Sequence, residues 1–434
     1  MIVGILRLNS KVKYGFTSRN VPIYLFTPFD RTLPSCIVGS SYRDTSSNVL
    51  ALVKVEQWGS LPRGNLMRIL GKCGDKDAEE AAIYHQYIPA TWAKFDRTTI
   101  REPSFATHTK LQGYTFNVDP DGCRDIDDVI TIGEDGYVYI TIADVASWMS
   151  VNPHIFQHAS TLGQTFYNNG SIVEPLLPIQ HECSLLQGLV RHGIALKFRL
   201  SNPNQYSFER VSFVNNQSFT YESIMGTEQG AFLRSLAESL GVFTEDPHAW
   251  IEACMTFYNR RVAECLVLRE KGLLRAQSRE EGTSVFAKIL YGADKQILSM
   301  KKATYVPAST REEHSMMGGI YTHATSPIRR FADIVNQMVL IDIPVCPFDL
   351  DDLNKRSIAC KKYERDMCFL NAILGSTERT VRGIAVSDHR VWVPSWNRLI
   401  TCKHTKQERE EGIVSYSVDM DQPMWKKRMV FRFD

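Results

Sequence analysis

The stretch Tyr114 to Asp128 reads YTFNVDPDGCRDIDD and packs five aspartates into ten positions. The five are Asp119, Asp121, Asp125, Asp127 and Asp128. So many like charges repel one another at close range. A cation relieves that repulsion, and carboxylate oxygens are the ligands that Mg²⁺ and Mn²⁺ prefer. The stretch therefore indicates a divalent metal site.

The acids fall between segments that have the pattern of strands. Residues 114–118 alternate apolar and polar side chains, which predicts a half-buried strand. Residues 129–132 and 137–145 predict two further strands, joined by a hairpin turn at Asp135-Gly136. The acidic side chains are therefore expected on a loop and at strand ends, held in place by a sheet.

Two other interpretations apply to an acidic stretch of this kind. A solvated acidic turn is one, because Asp-Pro and Asp-Gly pairs are common in turns. A calcium-binding EF-hand loop is the other, but a loop that starts at Asp119 has Arg124 at its sixth position and Ile130 at its twelfth. An EF-hand needs Gly and Glu there, so it is excluded. The acidic turn remains open.

The whole chain has the composition of an ordinary globular protein, with 434 residues and a net charge of +2. The length suggests about two to four domains. The near-neutral charge excludes a protein that coats nucleic acid by overall charge. Ten cysteines without zinc spacing predict reduced, mostly buried thiols and an intracellular, cytoplasmic location. No apolar run reaches the roughly 18 residues of a membrane span, so no membrane partner is expected.

Residues 1–90 are mostly short apolar runs separated by turn residues, which predicts a small β-barrel or sandwich. Basic and aromatic residues alternate near its start, as in barrels that bind oligonucleotides. These residues are Lys11, Lys13, Tyr14, Phe16 and Arg19. The alternative is that Tyr14 and Phe16 belong to the core. Residues 76–87 predict a helix that leads into the next domain.

A second informative stretch, His323 to Met338, reads HATSPIRRFADIVNQM. Ser326 is suited to cap a helix that begins at the following proline, which would put Arg329 and Arg330 in the first turn. Cations there oppose the helix dipole, which suggests a functional role. Free N–H groups and two guanidiniums would bind a phosphate. The alternative is an ion pair between Arg329 and Asp333, four residues on.

Two longer helices are predicted, and the first of them is interpreted as scaffold. The first spans residues 246–270, with Asp246 as its N-cap and Pro247 as its first residue. The second spans residues 351–373 and has apolar residues at helical spacing. From residue 376 the pattern returns to short strands, which predicts a small terminal β domain.

Four segments carry a resemblance to a known family. In chain order they read NVDPDGCRDIDD, TITIADVASW, YTHATSPIRRFADIV and YERDMCF. Together they resemble the motifs of the RNase II/RNase R (RNB) superfamily of 3′→5′ exoribonucleases. The acidic segment is similar to the form found in the catalytic subunit of the eukaryotic exosome. The resemblance covers residues 95–375 well and is weaker outside them.

The resemblance implies an α+β fold in which a central RNB-type catalytic domain, a mixed sheet with surrounding helices, is flanked by small OB-type β-barrels. The expected domains are residues 1–90 for an OB or cold-shock-like barrel, 91–375 for the catalytic domain and 376–434 for a short S1-like β domain. The family usually has two cold-shock barrels before the catalytic domain, whereas one fits here.

The resemblance also assigns catalytic residues. Four acids resemble those that hold Mg²⁺, or Mn²⁺ in its place, and position the attacking water. They are Asp119, Asp125, Asp127 and Asp128. Asp121 has no counterpart in that set. Arg329 resembles the arginine that steadies the scissile phosphate, and Arg330 is expected to contribute.

Four further residues are expected to contact RNA. Tyr167, in QTFYNNG, resembles the tyrosine that stacks on the terminal base, although Asn168 departs from the family's Thr-x-Tyr-Leu pattern. Glu364 resembles a glutamate near the last nucleotides. His323 and Ser326 belong to the arginine motif and are expected to contact the strand.

These features predict an exoribonuclease that hydrolyses single-stranded RNA from its 3′ end to 5′-nucleoside monophosphates with two metal ions. Single-stranded RNA is the expected partner, with an RNA-processing complex as a further one. The rival interpretation is a catalytically inactive RNB-fold protein that only binds RNA. A metal phosphatase for small substrates is a third, which the β modules at both ends disfavour.

Overall fold

The structure is a computed structural model that describes residues 1–89, 91–92, 95–278, 301–374, 379–387, 389–396, 398–402, 411–419, 425–427 and 429–433. Within them the chain forms an N-terminal β-barrel, a central sheet covered by helices and a C-terminal β unit. The predicted α+β fold class is confirmed. The predicted domain boundaries at residue 90 and at residues 375–376 lie outside the described residues.

The N-terminal residues form a closed five-stranded barrel. Its strands are β1 (Ile2–Leu6), β2 (Ile23–Pro28), β3 (Cys36–Gly39), β4 (Val49–Gln57) and β5 (Arg63–Lys72), in the order β1-β2-β3-β5-β4. Tyr24 and Phe26 on β2 fill the interior. Tyr14 and Phe16 are 38% and 61% exposed, so the interpretation of both as core residues is wrong. Their contact with RNA remains a prediction.

A seven-stranded mixed sheet forms the centre of the molecule. Its strands are β6 (Thr109–Lys110), β7 (Gly113–Val118), β8 (Asp128–Gly133), β9 (Val138–Ala143), β12 (Val190–Arg199), β13 (Asn202–Val214) and β14 (Gln217–Phe219), in the order β14-β7-β8-β9-β12-β13-β6. β14 pairs with β7 in parallel, and the hairpin predicted at Asp135-Gly136 joins β8 to β9. Thr115 and Asn117 on β7 are buried together with Phe116, so this strand is covered on both faces rather than half-buried.

Helices cover both faces of the central sheet. They are α1 (Lys76–Tyr87), α2 (Val145–Val151), α3 (Pro153–Leu162), α4 (Gln180–Cys183), α5 (Glu228–Ser239), α6 (Pro247–Arg269), α7 (Phe331–Leu340) and α8 (Leu350–Leu374). The predictions for α1, α6 and α8 are correct to within one residue at each end. As predicted, Asp246 caps α6, because its carboxylate accepts the His248 N–H at 3.0 Å. None of the described helices is long and apolar enough to cross a membrane.

Two short hairpins and a C-terminal sheet complete the described fold. The hairpins pair β10 (Phe166–Asn168) with β11 (Ser171–Glu174) and β15 (Leu273–Ala276) with β16 (Thr304–Pro307). The C-terminal strands are β17 (Thr380–Ser387), β18 (Arg390–Val393), β19 (Arg398–Thr401), β20 (Glu411–Val418) and β21 (Met429–Phe433), in the order β19-β18-β17-β20-β21. A bridge between Cys402 and Phe431 brings the two ends of this sheet together, so it curls towards a barrel.

The helix of the arginine motif, α7, begins later than predicted. The backbone of Arg330 is extended, with φ −133° and ψ 124°, and α7 starts at Phe331. Ser326 does not cap it: its N–H donates to Asp333 Oδ1 at 2.8 Å, and its carbonyl accepts the N–H groups of Arg329 and Arg330. Both arginines therefore lie in the turn before the helix, with Arg330 at its N-cap, and the prediction that they belong to the first helical turn is wrong.

Asp366 on α8 joins three parts of the chain. Its buried carboxylate accepts the hydroxyl of Tyr87, on α1, at 2.6 Å. It also pairs with Lys426 and, at 3.6 Å, with Arg398, both from the C-terminal unit. α1 and the C-terminal unit are therefore held against α8 by one carboxylate.

Asp144, directly after β9, is the centre of a buried polar network. Its carboxylate accepts the N–H and the hydroxyl of Ser147 at 2.9 and 2.6 Å, and it lies 3.0 Å from Nε2 of His108. Neither the His108 nor the Asp144 side chain is exposed to solvent. Burial raises the pKa of Asp144, but the bonds from His108 and Ser147 more than offset burial, so this pKa lies below its ordinary 3.8.

We expect Asp144→Ala to lower the free energy of unfolding by about 3–5 kcal/mol, because it leaves buried partners without their acceptor. The folded pKa lies below the unfolded one. The carboxylate therefore stabilises the fold above about pH 4, and its contribution is lost as the pH falls through the folded pKa. Urea unfolding at pH 7 and pH 3 measures this, with the exposed Asp121→Ala as the control. A variant as stable as the parent at pH 7 would contradict the prediction.

Candidate active site

The acidic loop connects β7 to β8 and is held at both ends. Asp119 follows β7, and its N–H donates to the carbonyl of Phe219 on β14 at 3.0 Å. A turn then reverses the chain, closed by the Cys123 N–H on the Pro120 carbonyl at 3.1 Å. Asp128 opens β8. The first and last acids are therefore positioned by neighbouring strands of the central sheet.

Asp127 is buried at 4% exposure, whereas the other three predicted acids are half-buried. Its Oδ1 accepts the Ile328 N–H at 3.0 Å, and its Oδ2 accepts the Nε–H of Arg329 at 3.3 Å. Burial raises the pKa of Asp127 to about 7, although Arg329 and the Ile328 N–H lower it. The acidic motif and the arginine motif therefore meet at this carboxylate.

The carboxylates of Asp119, Asp125 and Asp128 lie near one another. Asp119 Oδ2 accepts the Nδ2–H of Asn117 at 2.8 Å, and Asp125 Oδ2 accepts the hydroxyl of Tyr167 at 2.8 Å. Burial raises the pKa of Asp119, and the charge of Asp125 raises it further. Burial and the charge of Asp119 raise the pKa of Asp128 well above its ordinary value. The loop therefore concentrates negative charge in a partly dry space.

The acid cluster fits a divalent cation by its chemistry. As the side chains stand, no three His, Cys, Asp or Glu residues of the described ranges are arranged to hold a metal ion. The four predicted acids nevertheless offer oxygen donors alone, which suit Mg²⁺ and Mn²⁺, and a cation would relieve their repulsion. Both oxygens of Asp127 already accept hydrogen bonds, so a metal there would share one of them.

Arg329 faces the acids from the arginine motif. Its Nη2 donates to Ser326 Oγ at 3.0 Å, and 48% of its side chain remains exposed. Ser326 is 3% exposed, so its hydroxyl supports Arg329, and its own contact with RNA remains a prediction. Arg330, not Arg329, pairs with Asp333, at 2.9 Å. The alternative ion pair considered for Arg329 is therefore wrong.

Tyr167 and Glu364 border the same cluster. Tyr167 lies on β10, and burial raises the pKa of its hydroxyl, which is bonded to Asp125. Glu364 is an exposed residue of α8 whose Oε1 lies 3.8 Å from the Cys360 thiol. Partial burial raises the pKa of Glu364, and Arg329 is close enough to oppose that rise.

The ring of His323 contacts the rings of Tyr305 and Tyr321. Its Nδ1 is 2.9 Å from the hydroxyl of Tyr305. Burial and the charge of Arg330 lower the pKa of His323 well below 6.5, so the imidazole is neutral at physiological pH. The structure thus brings the four acids, Arg329, Tyr167 and Glu364 together, whereas Arg330 binds Asp333 and His323 contacts Tyr305.

The sequence of the region that contains this site identifies the protein family. The family model for the RNB domain matches residues 110–230 and 238–344, more than half of the chain. This chain belongs to the RNB family. A second model, for the Dis3-like cold-shock domain 2 (CSD2), matches residues 23–88, which contain β2 to β5 and α1. The predicted family resemblance is confirmed.

Curated RNB relatives are distant in sequence. Ribonuclease R of Buchnera aphidicola is 23% identical over 413 residues, which cover 70% of this chain and 57% of that protein. The probable exosome complex exonuclease RRP44 of Caenorhabditis elegans is 23% identical over 457 residues, 78% of this chain and 47% of that protein. The chain therefore spans about half the length of these relatives.

Two solved structures share the fold of this chain. Mycoplasma genitalium RNase R in complex with double-stranded RNA superposes with a TM-score of 0.75 at 16% identity, covering 100% of this chain and 96% of that one. Yeast Ssd1, described as a pseudonuclease, has a TM-score of 0.68 at 16% identity, covering 97% and 66%. Because one of these proteins is named a pseudonuclease, the fold alone does not decide activity in an RNB chain.

Sequence reasoning missed Tyr221, which stands beside the acids. Its ring stacks on His248 with centroids 3.7 Å apart, and burial together with the charge of Asp119 raises its pKa to about 12. Tyr221 follows β14, whose parallel pairing with β7 brings both strand ends to the same edge of the sheet. The sequence carries little signal for this, because β14 has three residues.

Proposed function

We propose that this chain is a metal-dependent 3′→5′ exoribonuclease that hydrolyses single-stranded RNA to 5′-nucleoside monophosphates. The observation that carries the proposal is the contact between Asp127 and Arg329, which joins four carboxylates to a half-exposed guanidinium. Phosphodiester hydrolysis needs both a site for activating cations and a positive group for the phosphate. Relatives named ribonuclease R and exosome exonuclease support the same reaction.

The proposed mechanism assigns separate tasks to the two motifs. The four predicted acids would hold Mg²⁺ or Mn²⁺, which would supply the charge that activates water and stabilises the leaving oxygen. Arg329 binds the scissile phosphate with its exposed N–H groups, while Asp127 and Ser326 hold two of its nitrogens. Water adds to phosphorus, the bond to the 3′ oxygen of the preceding nucleotide breaks, and that oxygen takes the proton. Because Arg329 is already held, little reorganisation is needed.

The proposed substrate and partners extend what is named for the relatives. RNase R of Mycoplasma genitalium has been solved with single-stranded and with double-stranded RNA, and RRP44 is named as part of the exosome. For this chain we propose single-stranded RNA as the substrate and an RNA-processing complex as a partner. The exposed Tyr14 and Phe16 on the N-terminal barrel support RNA binding outside the acid cluster.

The second candidate function is RNA binding without cleavage, which the likeness to the pseudonuclease Ssd1 favours. The residues of the site argue for the first function instead. All four predicted acids and both arginines are present, and Asp127 contacts Arg329 directly. A protein that only binds RNA has no need to bury a carboxylate against that arginine.

Digestion of one oligoribonucleotide labelled at either end tests the proposal. The 5′-labelled strand should shorten progressively, and the 3′-labelled strand should release its labelled 5′-monophosphate at once. EDTA should stop both reactions, and calorimetry without RNA should detect Mn²⁺ binding to the chain. Intact RNA that binds the chain would favour the second candidate. Hydrolysis of a small phosphate monoester but not of RNA would indicate a phosphatase.

We expect Tyr167→Ala to leave an active enzyme that stops at a longer product. Loss of one stacking platform costs about 1–3 kcal/mol, which matters most when few nucleotides remain bound. Tyr167→Phe is the matched control, because it keeps the ring and removes only the bond to Asp125. Product lengths are read on a denaturing gel. An unchanged end product for the alanine variant would make Tyr167 a structural residue.

A further inference from the structure

Arg275 is a buried cation without an acidic partner. It lies on β15 opposite Tyr305 of β16, and its guanidinium carbon is 4.5 Å from the centre of the Tyr305 ring. The residue is 4% exposed, and its Nη1 is buried without a hydrogen-bond partner. None of the ion pairs among the described residues includes it. A buried cation of this kind is unfavourable unless an anion approaches it.

Other basic groups lie around Arg275. Arg330 binds Asp333 through Nη2 at 2.9 Å, but its Nε is buried without a partner. Burial lowers the pKa of Arg275, and repulsion from Arg330 contributes to that shift. His323 also contacts Tyr305, whose ring packs against Arg275: the Tyr305 hydroxyl lies 2.9 Å from Nδ1 of His323. Positive charge therefore exceeds negative charge here, with Asp333 as the acid that opposes it.

Lys361 on α8 is an exposed cation close enough to Arg275 to be repelled by it. Asn354 holds Tyr305 by accepting its N–H at 2.7 Å and donating to its carbonyl at 2.9 Å. Lys361 comes seven residues later, close to two helical turns, so it lies on the same face of α8 as Asn354. Lys361 is exposed and belongs to none of the ion pairs among the described residues. Glu364, one turn further on, lies near both Lys361 and Arg329, so it is a second acid beside these cations.

We infer that Arg275, Arg330 and Lys361 form a second anion site, which binds a phosphodiester group of the RNA strand next to the scissile one. This inference rests on the proposed function. Arg329 and Arg330 are consecutive: Arg329 binds Asp127 of the acid cluster, and Arg330 lies close enough to Arg275 to repel it. A strand with regularly repeated phosphates is the anion that would fill two such sites at once. Arg275 and Lys361 are therefore positioning residues rather than catalytic ones.

Binding of one fluorescent oligoribonucleotide to the full chain carrying Asp127→Asn measures the site without turnover. Lys361→Ala is compared with Lys355→Ala, which removes another exposed lysine from the same helix. We expect Lys361→Ala to weaken binding roughly tenfold and Lys355→Ala to have little effect. The dependence of log Kd on log salt should fall by about 0.7 for Lys361→Ala, as for the loss of one phosphate contact.

A series of strands, each with one neutral methylphosphonate linkage, locates the phosphate. The effect of Lys361→Ala should disappear for one linkage position near the 3′ end and persist for the others. An equal effect at every position, or none beyond that of Lys355→Ala, would overturn the site. Nucleoside monophosphate is added as a competitor of the oligoribonucleotide. If it displaces RNA from the Asp127→Asn chain but not from the chain that also carries Lys361→Ala, the occupant of the site is the free product, which also overturns the inference.

Arg275→Gln, checked by its melting curve, should repeat the behaviour of Lys361→Ala. If it does not fold, the Lys361 series decides alone, because that side chain is exposed. Digestion of labelled RNA by the parent chain reports on the proposed function separately. If the chain binds RNA at the located phosphate but does not cleave it, the second anion site stands and the proposed nuclease function fails. If the chain cleaves RNA but no single phosphate is located, the nuclease function stands and the second anion site fails.

Discussion

Asp127→Asn is expected to slow single-turnover RNA cleavage by at least about 10²–10³-fold, the cost of removing one preorganised electrostatic group. Two interactions are lost together. Asn keeps an oxygen for the Ile328 N–H but loses the charge that would hold a divalent ion. Its Nδ2 would also face the Nε–H of Arg329, so that two donors oppose each other where an ion pair stood. A loss of several orders of magnitude follows if the ion leaves entirely.

The Asp127→Asn chain should still fold and bind RNA. Burial raises the pKa of Asp127 to about 7, so the ionised carboxylate is unfavourable in this position and a neutral amide costs little. Arg329 is 48% exposed and is solvated when it loses its partner. We expect the melting temperature to change by less than about 4 °C, and filter binding to show RNA affinity close to that of the parent.

Asp121→Asn is the matched control for this variant. It makes the same chemical change in the same loop, at an exposed acid outside the predicted set. Cleavage by this control should remain near the parent rate. If Asp127→Asn also cleaved near that rate while remaining folded, Asp127 would leave the active site and the metal mechanism would lose its main support.

Arg329→Ala is expected to lower single-turnover cleavage by about 10²–10³-fold while RNA affinity falls less than about tenfold. Many contacts share the binding of a long strand, whereas few touch the scissile phosphate. The change also leaves Asp127 buried without its cation, so a lower melting temperature is expected alongside. Arg234→Ala, which removes an exposed arginine of α5, is the control for loss of charge alone.

Two further measurements separate a role at the phosphate from a general contact. Added guanidinium at low concentration should restore part of the activity of Arg329→Ala, but none of that of Asp127→Asn. The double variant should be little slower than the worse single one, because the two residues act as a unit. If Kd and cleavage fell by the same factor, Arg329 would be a general backbone contact.

The parts of the fold that could be predicted from sequence have local signals. α6 has a capping aspartate and a proline at its first position, and its bounds are correct to within a residue. The β8–β9 hairpin follows from Asp135-Gly136, whose backbone preferences need no distant partner. The acidic loop is recognised in the same way, because its residues are consecutive in the chain.

The start of α7 could not be predicted, because a distant contact overrides local signals. Ser326 and the proline after it have the pattern of a helix start, yet the Ile328 N–H is bound by Asp127, 201 residues away. The positions of Tyr221 and Arg275 could not be predicted either. Tyr221 depends on the pairing of the short strand β14 with the distant strand β7, and Arg275 depends on the pairing of the short strands β15 and β16. The sequence predicts that most of the ten cysteines are buried, whereas five of them are. Side-chain burial depends on packing as much as on residue type.

The contact between Asp127 and Arg329 spans 202 positions of the chain. During synthesis the acids emerge first, and a nascent chain that ends before Ser326 has the carboxylates without the guanidinium. It also lacks the Ile328 N–H and the Ser326 hydroxyl that hold the pair in place. Under the proposed function, a growing chain therefore has an incomplete site, and full nuclease activity is expected only once the arginine motif has folded against the acids.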